Sequence, residues 1–413
     1  MSDVHRNLQK SIHQLLTQFP VVAILGVRQC GKTSLAKMVR PNWKYFDLER
    51  ARDFDLITGD FDLFFKENPS HLILDEAQAA PQLFNELRGV IDADRQQKGR
   101  FIITGSSSFE LVRNISQSLA GRIAIVELGT FKMNEIYQQP LPEFYSLFHQ
   151  PIRKSTLDAL KQLRPNLEYD QVIQAFLKGG YPEPVLANDE SFYRNWMNNY
   201  FQTYLERDIR SLFPRLDITR YRRFIQMLVD CSSTIINRSD LGRTIDVSEV
   251  TIKEYLEIAQ GSFLWRNVPS FEQTASKSII KKPKGYIRDS GLIHYLNSVR
   301  TREDLFTNRY TGNNFEAFII EELIKGFQSG TSEKINYYYY RTKNGAEVDL
   351  LLEGSFGLLP IEIKFGATVT PKNTGSIQRF VREQNLPLGL VISNCEEVIA
   401  VSDRVLHIPV GVI

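Results

Sequence analysis

A glycine-rich loop near the start of the chain constrains its fold more than any other feature of the sequence. In LGVRQCGKTSLAK, residues 25–37, Gly26 is followed by four residues and then by Gly31, Lys32 and Thr33, which is the spacing of a phosphate-binding loop. The run VVAIL before the loop predicts a buried strand, and KTSLAKMV after it predicts a helix. These flanks follow the order that the motif requires and disfavour a chance glycine turn. The sequence therefore predicts an α/β nucleotide-binding domain.

The residue types of the loop fit the chemistry of phosphate binding. Gly26 and Gly31 allow backbone torsions that other residues resist, so consecutive amides can point at one phosphate. The N-terminus of the following helix adds partial positive charge. Lys32 can reach the β- and γ-phosphates, and the hydroxyl of Thr33 can coordinate Mg²⁺. We therefore expect ATP and Mg²⁺ as cofactors.

Two later strands end in residues suited to hydrolysis. HLILDEAQ is an apolar strand that ends in an acidic pair, in which Asp75 would bind the metal and Glu76 would polarise the attacking water as general base. RFIITGSSS ends in hydroxyls, and Ser106 or Thr104 would sense the γ-phosphate unless this stretch is a plain turn. The predicted nucleotide contacts are Gly26, Val27, Arg28, Gln29, Cys30, Gly31, Lys32, Thr33, Ser34 and Asp75, with Thr33 and Asp75 as the metal ligands.

An arginine precedes the next predicted strand. In SLAGRIAIVEL, Arg122 follows Gly121, and its guanidinium could reach a phosphate on its own subunit or on a neighbour's. The alternative is a surface salt bridge, which is the commoner role of a lone arginine. An arginine finger that acts in trans needs a neighbouring subunit, so this interpretation predicts a ring or partial ring, such as a hexamer.

Composition places the chain among ordinary globular proteins. Its 413 residues predict two or three domains, and 42% hydrophobic and 24% charged residues are globular values. The net charge is +2, yet Glu206 to Tyr310 holds 18 Lys/Arg against 13 Asp/Glu, which indicates polyanion binding or a solvated basic surface. The three cysteines are far apart, without a disulfide framework or metal-ligand spacing. A polar start, and no apolar run near the roughly 18 residues of a membrane span, predict a cytoplasmic protein without a membrane partner.

The segment from about 211 to 310 has the rhythm of a helix-turn-helix followed by a wing. RRFIQMLVD, SDLGRTI and DVSEVTIKEYLEIA predict the helices, and KSIIKKPKGYIRDSG predicts the wing. The last helix is not strongly basic, so protein docking is an alternative to DNA contact. If the region binds DNA, we expect non-specific phosphate contacts through the wing, made by Lys277, Lys281, Lys282, Lys284 and Arg288.

Four charged residues near the C-terminus follow the order of a nuclease motif. Glu316 lies on a predicted helix, Asp349 on a strand, and Glu362 and Lys364 two apart on the next strand. Residues two apart share a face of a strand, so Glu362 and Lys364 would point into one cleft. There the carboxylates of Asp349 and Glu362 could hold Mg²⁺, and Lys364 could stabilise the phosphate or orient water. The order resembles the PD-(D/E)xK nuclease core, although a cluster that only binds DNA or stabilises the domain is an alternative.

These motifs together resemble one family. GVRQCGKT, LILDEAQ, ITGSSS and LAGR, followed by KGGYPEPV, YFQTYLERDIR, IRDSGLIHYL and AEVDLLLE, look like the AAA+-like P-loop NTPases of bacteria and archaea that carry a C-terminal domain of unknown function. The resemblance implies an α/β fold with a parallel-sheet ATPase core (1–150), a helical lid and linker (151–210), a winged-helix region (211–310) and a restriction-endonuclease-like α/β core (311–413). It implies that Lys32, Thr33, Asp75 and Glu76 are the nucleotide and hydrolysis residues, Ser106 the sensor and Arg122 the arginine finger.

The sequence therefore predicts an oligomeric, Mg²⁺-dependent ATPase that couples ATP binding and hydrolysis to DNA binding or remodelling. The same motifs allow two rivals: an ATP-gated nuclease, and a nucleotide switch that binds a protein partner. DNA-stimulated turnover separates the ATPase from the switch, and Mg²⁺-dependent cutting that is lost with Lys364 identifies the nuclease.

Overall fold

A five-stranded parallel sheet organises the amino-terminal part of the computed structural model. Its strands are β1 Val21–Leu25, β2 Lys44–Asp47, β3 Leu72–Asp75, β4 Phe101–Gly105 and β5 Ile123–Glu127. They lie in the order β2-β3-β4-β1-β5, and every pairing is parallel. β1, β3 and β4 are buried along their whole length, as expected of apolar runs in a parallel sheet that is covered on both faces. The predicted parallel α/β sheet is confirmed.

Helices connect these strands in the described part of the chain. α2 begins at Lys32, directly after the glycine loop, which confirms the predicted order of strand, loop and helix. The helices are α1 Gln9–Gln18, α2 Lys32–Val39, α3 Ala51–Thr58, α4 Phe61–Glu67 and α5 Leu83–Ala93, with a turn of 3-10 helix at Ala77–Ala79.

The structure describes residues 4–106, 118–272, 282–330, 334–342 and 345–413, and describes residues 371–373 by their backbone alone.

Contacts divide the chain into two units. The first extends to Phe131 and includes Gly261–Phe263, and the second contains Lys132–Gln260 and Leu264–Ile413. The lid, winged-helix and nuclease-like regions that we expect at 151–210, 211–310 and 311–413 fall almost entirely within the second unit, and their division stays a prediction.

The rest of the described chain is rich in helices. Among the described residues, none of the helices is both long and apolar enough to cross a membrane. The helices are α6 Met133–Ile136, α7 Lys154–Leu160, α8 Tyr169–Lys178, α9 Pro182–Ala187, α10 Glu190–Thr203, α11 Arg210–Leu212, α12 Ile218–Asp230, α13 Arg238–Ile245, α14 Glu249–Gly261, α15 Ser290–Leu296, α16 Arg302–Thr307, α17 Thr311–Gly330 and α18 Pro371–Glu383, with a π-helix at Tyr204–Ile209 and 3-10 helices at Glu143–Phe148 and Val410–Val412.

The second unit holds two sheets. The smaller consists of β6 Thr234–Ile235, β7 Trp265–Val268 and β8 Lys284–Ile287, antiparallel and in the order β6-β8-β7. The larger consists of β9 Asn336–Arg341, β10 Glu347–Gly354, β11 Gly357–Lys364, β12 Gly389–Ser393, β13 Ile399–Ala400 and β14 Val405–Pro409. Its order is β13-β14-β12-β11-β10-β9. β9, β10 and β11 are antiparallel, whereas β12 pairs in parallel with both β11 and β14.

Helices α12, α13 and α14 lie where the helix-turn-helix pattern predicts them. Asp246 ends α13 in the left-handed conformation, with φ of 56°, and the backbone N–H of Thr251 donates to Ser248 Oγ at 3.0 Å. Ser248 is therefore the N-terminal cap that the sequence predicts for α14. β6, β7 and β8 accompany these helices, in an order compatible with the predicted winged helix, which stays a prediction.

Residues after Phe131 belong to the core of the second unit. Phe148 packs against Phe327 of α17 with ring centroids 5.5 Å apart, and the hydroxyl of Tyr145 donates to the carbonyl of Glu322 at 3.2 Å. A Cβ on Gly326 would lie 2.0 Å from the Tyr145 ring. The continuous part of the first unit therefore extends to Phe131, and the domain boundary near residue 150 stays a prediction.

A buried histidine in the second unit makes stability depend on pH. Nδ1 of His294 hydrogen-bonds the carbonyl of Leu177 at 3.1 Å, while Nε2 has no hydrogen-bond partner among the described residues. Burial lowers the pKa of His294 from 6.5 to about 4. The unfolded chain therefore binds the extra proton first, so this contribution to stability is complete above pH 6.5 and is lost as the pH falls toward 4.

We expect the free energy of unfolding to fall by about 2 kcal/mol between pH 7 and pH 5 because of this group alone. His294→Gln keeps a donor for the Leu177 carbonyl and removes the titrating group. Its free energy of unfolding in urea should therefore decrease by about 2 kcal/mol less than that of the wild type between pH 7 and pH 5. His149→Gln, a change of an exposed histidine, is the matched control. Equal slopes in wild type and His294→Gln would contradict the assignment.

Candidate nucleotide-binding site

The two loop glycines are required for different reasons. Gly31 has φ of +95°, in the left-handed region that other residues resist, and it forms the N-cap of α2. Gly26 is needed for close packing, because a Cβ there would lie 2.1 Å from the carbonyl oxygen of Leu128. Gln29 also has positive φ, 64°. The torsional role expected of Gly26 is thus corrected to a packing role, and the unusual torsions fall at positions 29 and 31.

Lys32 lies folded across the loop. Its side chain is buried, and Nζ donates to the carbonyls of Gly26 at 3.2 Å and Val27 at 3.1 Å. No side chain caps the N-terminus of α2, so its first amides keep their capacity to bind an anion. The ammonium group and the helix N-terminus therefore meet at one loop, as the sequence predicts.

The other predicted loop contacts differ in what they can offer a nucleotide. Cys30 is buried and its thiol contacts the Leu128 carbonyl at 3.3 Å, and the Val27 side chain is also buried, so both can bind a ligand through the backbone alone. Arg28 forms an ion pair with Glu49 at 3.5 Å. Ser34 lies exposed on α2.

The loop is anchored by a residue that sequence reasoning missed. The guanidinium of Arg6 donates to the carbonyls of Cys30 at 2.7 Å and Gly129 at 2.8 Å, and it lies 4.8 Å from the centre of the Phe131 ring. Arg6 is buried. It belongs to no recognisable motif, so no local pattern could have identified it.

Asp75 collects three hydroxyl groups at the end of β3. Its Oδ2 accepts from Thr33 at 2.8 Å and from Tyr45 at 2.7 Å, and its Oδ1 accepts from Thr104. Burial, followed by the hydrogen bond to Asp75, raises the pKa of Tyr45. These carboxylate and hydroxyl oxygens are the donors that Mg²⁺ prefers, so the residues present fit the predicted metal. Tyr45 was not predicted, because it lies on the neighbouring strand β2.

Glu76 stands at the centre of a second polar network. It has φ of 51°, and its Oε2 accepts from Gln78 at 2.6 Å and from Ser106 at 3.2 Å. Its backbone N–H donates to Thr104 Oγ1 at 3.2 Å. The structure thus brings the predicted base and the predicted sensor together, and it adds Gln78, which follows the acidic pair in the sequence.

Arg122 lies at the opposite end of the sheet from the glycine loop. Its carbonyl accepts from the N–H of Val21 at 3.3 Å, whereas the loop follows Leu25 at the other end of β1, about 13 Å away along the strand. Its guanidinium donates to both carboxylate oxygens of Asp92, at 2.7 and 2.8 Å. This position corrects the option that Arg122 contacts the nucleotide of its own subunit, and it leaves a role in trans as a proposal.

The four residues of the nuclease-like motif meet in the second unit. Lys364 pairs with Glu362 at 2.5 Å and with Asp349 at 3.6 Å, and the N–H of Ile363 donates to Asp349 Oδ2 at 2.7 Å. Burial, followed by the charge of Asp349, raises the pKa of both Glu316 and Glu362 to about 8. Within the described ranges, no group of three or more His, Cys, Asp or Glu residues is arranged to hold a metal ion.

Lys284 joins this cluster, contrary to its expected role on a DNA-binding wing. It is 5% exposed, and its ammonium pairs with Glu316 at 3.1 Å and with Glu347. Arg288 pairs with Glu321 at 3.0 Å, while Lys282 stays exposed beside Asn237. These carboxylates neutralise Lys284 and Arg288, which removes both as free phosphate contacts. Lys277 and Lys281 lie outside the described residues.

Three stretches of the chain match family models. Residues 18–137 match an AAA domain, residues 169–303 match a domain of unknown function, DUF8612, and residues 311–412 match another, DUF4143. The stretch that holds the glycine loop and both polar networks is therefore an AAA-type P-loop domain. The other two models carry no function.

Relatives and solved structures extend the comparison. The uncharacterized protein Rv2008c of Mycobacterium tuberculosis is 29% identical over 409 residues, which cover 98% of this chain and 83% of that protein. The uncharacterized protein MJ1544 of Methanocaldococcus jannaschii is 22% identical over 419 residues, which cover 96% and 88%. The Walker-type ATPase PABY2304 of Pyrococcus abyssi has a TM-score of 0.45 at 14% identity, over 70% of this chain and 94% of that one. The RuvB Holliday junction branch migration motor of Thermotoga maritima has a TM-score of 0.29 at 15% identity, over 67% and 94%.

Proposed function

We propose that this protein is an Mg²⁺-dependent ATPase. The observation that carries the proposal is the convergence of Lys32, Thr33 and Asp75 at the ends of β1 and β3, with the Thr33 hydroxyl 2.8 Å from the Asp75 carboxylate. Glu76 follows directly, beside Ser106. The side chains to which we assign phosphate binding, metal binding and general-base catalysis thus lie at one edge of a parallel sheet, where ligands of such sheets bind.

Each side chain has a distinct task in this proposal. Lys32 would exchange its bonds to the loop carbonyls for bonds to the β- and γ-phosphates. Thr33 and Asp75 would hold the metal, which would supply charge neutralisation when bound. Glu76 accepts a proton from the attacking water. Gln78 and Ser106 orient the Glu76 carboxylate, because both contact the same oxygen.

Oligomerisation belongs to the same proposal. Arg122 lies too far from its own glycine loop to touch a phosphate there, so an arginine finger at this position acts on a neighbouring subunit. Asp92 holds the guanidinium in a bidentate pair at the surface, which keeps it ordered until a neighbour is present. This proposal implies a ring or partial ring of subunits.

We further propose that ATP hydrolysis is coupled to DNA binding or remodelling. The basic excess between Glu206 and Tyr310 and the order of α12, α13 and α14 support this step. The rival is a nucleotide switch that binds a protein partner, because the exposed face of α14 pairs Lys253 with Glu257.

DNA-stimulated turnover tests this coupling. Phosphate release at saturating ATP and Mg²⁺ should rise when duplex, single-stranded or branched DNA is added. An ATPase that is coupled to DNA binding hydrolyses ATP faster when DNA is bound. Lys32→Ala gives the background. Equal rates with and without all three DNAs, together with no DNA binding at physiological salt, would favour the protein-binding switch.

A second candidate function, DNA cleavage, is supported by the meeting of Glu316, Asp349, Glu362 and Lys364. Against it, lysines occupy these carboxylates, so the arrangement does not fit Mg²⁺ and we derive no cutting step. The same DNA mixtures, resolved on a denaturing gel, distinguish the two functions. Cutting that Lys364→Ala abolishes would establish the nuclease, and intact DNA would leave the cluster a structural one.

A further inference from the structure

We propose that a basic cavity in the second unit binds phosphate groups. The cavity has a volume of about 360 Å³ and lies among the end of α8, α10, α12 and α15 with the residues that follow α15. Neither the glycine loop nor the carboxylate cluster contributes to it. Its volume is within the range of sites for small ligands, and it suits a phosphate with part of its sugar.

Positive charge dominates the lining. Lys178, Arg194, Arg222 and Arg300 stand against one acid, Glu190. Glu190 pairs with Lys178 at 3.6 Å, and Arg222 pairs with Glu206 at 3.7 Å. Arg194 and Arg300 are the two remaining basic residues of the lining.

Arg194 and Arg300 are both exposed, and neither guanidinium forms an ion pair with any residue that the structure describes. The acid beside Arg300 is Asp304, whose carboxylate accepts instead from the backbone N–H of Arg300 at 2.9 Å and of Thr301 at 3.0 Å. Two unpaired guanidinium groups at one cavity create an anion site, since each offers a planar set of donors that matches phosphate oxygens.

The walls of the cavity are already formed. The hydroxyl of Tyr193 donates to the carbonyl of Lys178 at 2.9 Å, and that of Tyr295 donates to Asn198 at 2.9 Å. The guanidinium of Arg222 lies 5.8 Å from the centre of the Phe201 ring. Because these hydroxyls have partners within the protein, binding a ligand does not require the walls to rearrange, and the arginines supply the free donors.

Phosphates can reach this cavity from two sources, the backbone of a single-stranded nucleic acid or a small phosphorylated molecule. The first source rests on the proposed coupling to DNA. In that case Arg194 and Arg300 contact the phosphates of the nucleic acid. Lys284 and Arg288 do not, because glutamates neutralise them.

The test compares two double variants of the full chain. Arg194→Gln/Arg300→Gln removes the free guanidinium groups. Arg382→Gln/Arg404→Gln removes the same charge from exposed arginines that lie outside both the cavity and helices α12–α14. Fluorescence anisotropy with a labelled single-stranded oligonucleotide is measured at three salt concentrations. We expect the slope of log affinity against log salt to flatten by about 1.4 in the first variant, about 0.7 for each lost contact, and to stay unchanged in the second.

A calorimetric titration with inorganic pyrophosphate separates the two sources. It is carried out in the Lys32→Ala background, where the glycine loop no longer competes for the ligand. Pyrophosphate binding that is lost with Arg194 and Arg300, without any DNA binding by the wild type, would keep the cavity as a site for a small phosphorylated ligand and reject the coupling to DNA.

Other outcomes overturn the proposal. If the wild type binds the oligonucleotide and the cavity variant keeps its slope, the cavity assignment fails while the coupling to DNA stands. If both double variants lose the same slope, the effect is one of overall charge and the cavity is not the site. If the wild type binds neither probe, both proposals fail. Thermal unfolding of each variant by circular dichroism verifies that the fold is intact.

Discussion

Glu76→Gln is expected to bind ATP and Mg²⁺ as the wild type does and to lose hydrolysis by about 10²–10⁴-fold. The amide has the shape of the carboxylate and keeps an acceptor oxygen for Gln78 and Ser106, but it cannot take a proton from the attacking water. Only the chemical step is lost, so kcat should fall while the Kd for ATP stays close to its wild-type value. Phosphate release and equilibrium binding of a fluorescent ATP analogue measure the two quantities separately.

Two further variants complete this experiment. Lys32→Ala should abolish ATP binding itself, because the ammonium that neutralises the β- and γ-phosphates is gone. Glu67→Gln makes the same chemical change at an exposed position at the end of α4 and should leave both quantities unchanged. Hydrolysis by Glu76→Gln at a near wild-type rate would show that another group acts as the base.

Arg122→Ala is expected to lower turnover by about 10³-fold or more, with a much smaller loss of ATP affinity. The guanidinium would stabilise charge that develops in the transition state on a neighbouring subunit's nucleotide, and it contributes little to binding in the ground state. If Arg122 acts in trans as proposed, the specific activity of the wild type should rise with protein concentration. Light scattering at the same concentrations should show the assembly.

Asp92→Asn is the matched control for this prediction. It breaks the ion pair that holds Arg122 within the subunit and leaves the guanidinium in place, so turnover should stay within a few-fold of wild type. If Asp92→Asn loses as much activity as Arg122→Ala, the pair has a structural role in its own subunit. Constant activity per subunit on dilution, from a monomeric protein, would exclude the action in trans.

The local parts of the site could be predicted because their geometry is set over a few residues. A strand, a loop with Gly31 at its end and a helix that begins at Lys32 need no distant partner to be recognised. The alternation of side chains along a strand likewise placed Glu362 and Lys364 together, and the structure joins them in an ion pair. Position 31 accepts the left-handed torsion because glycine lacks a Cβ.

The partners of these residues could not be predicted in the same way. Tyr45 reaches Asp75 because β2 lies beside β3 in the sheet, and the order of strands depends on crossover connections that no local pattern specifies. Arg6 reaches the loop across a separation of 24 residues. Gln78 lies two residues after Glu76 in the sequence, but only the folded chain shows that its amide donates to the Glu76 carboxylate at 2.6 Å.

Lys284 shows how tertiary structure reverses an interpretation of charge. Together with its basic neighbours it predicts a phosphate contact, but the fold buries it between Glu316 and Glu347. A buried ammonium has to be paired, because its desolvation is otherwise too costly. Arg194 and Arg300 belong to no motif, and at one cavity neither forms an ion pair with any residue in the described part of the chain.

By itself, the sequence determined the strand–loop–helix unit, the acidic pair after β3 and the chemistry that these residues can perform, since each depends on spacing within one or two elements. The tertiary structure alone decided which hydroxyls surround Asp75, that Arg122 lies at the end of the sheet opposite the glycine loop, and which basic side chains are paired with carboxylates among the described residues. The physical reason is that burial and charge pairing act between residues distant in sequence, and only the folded chain brings them within a few ångströms of one another.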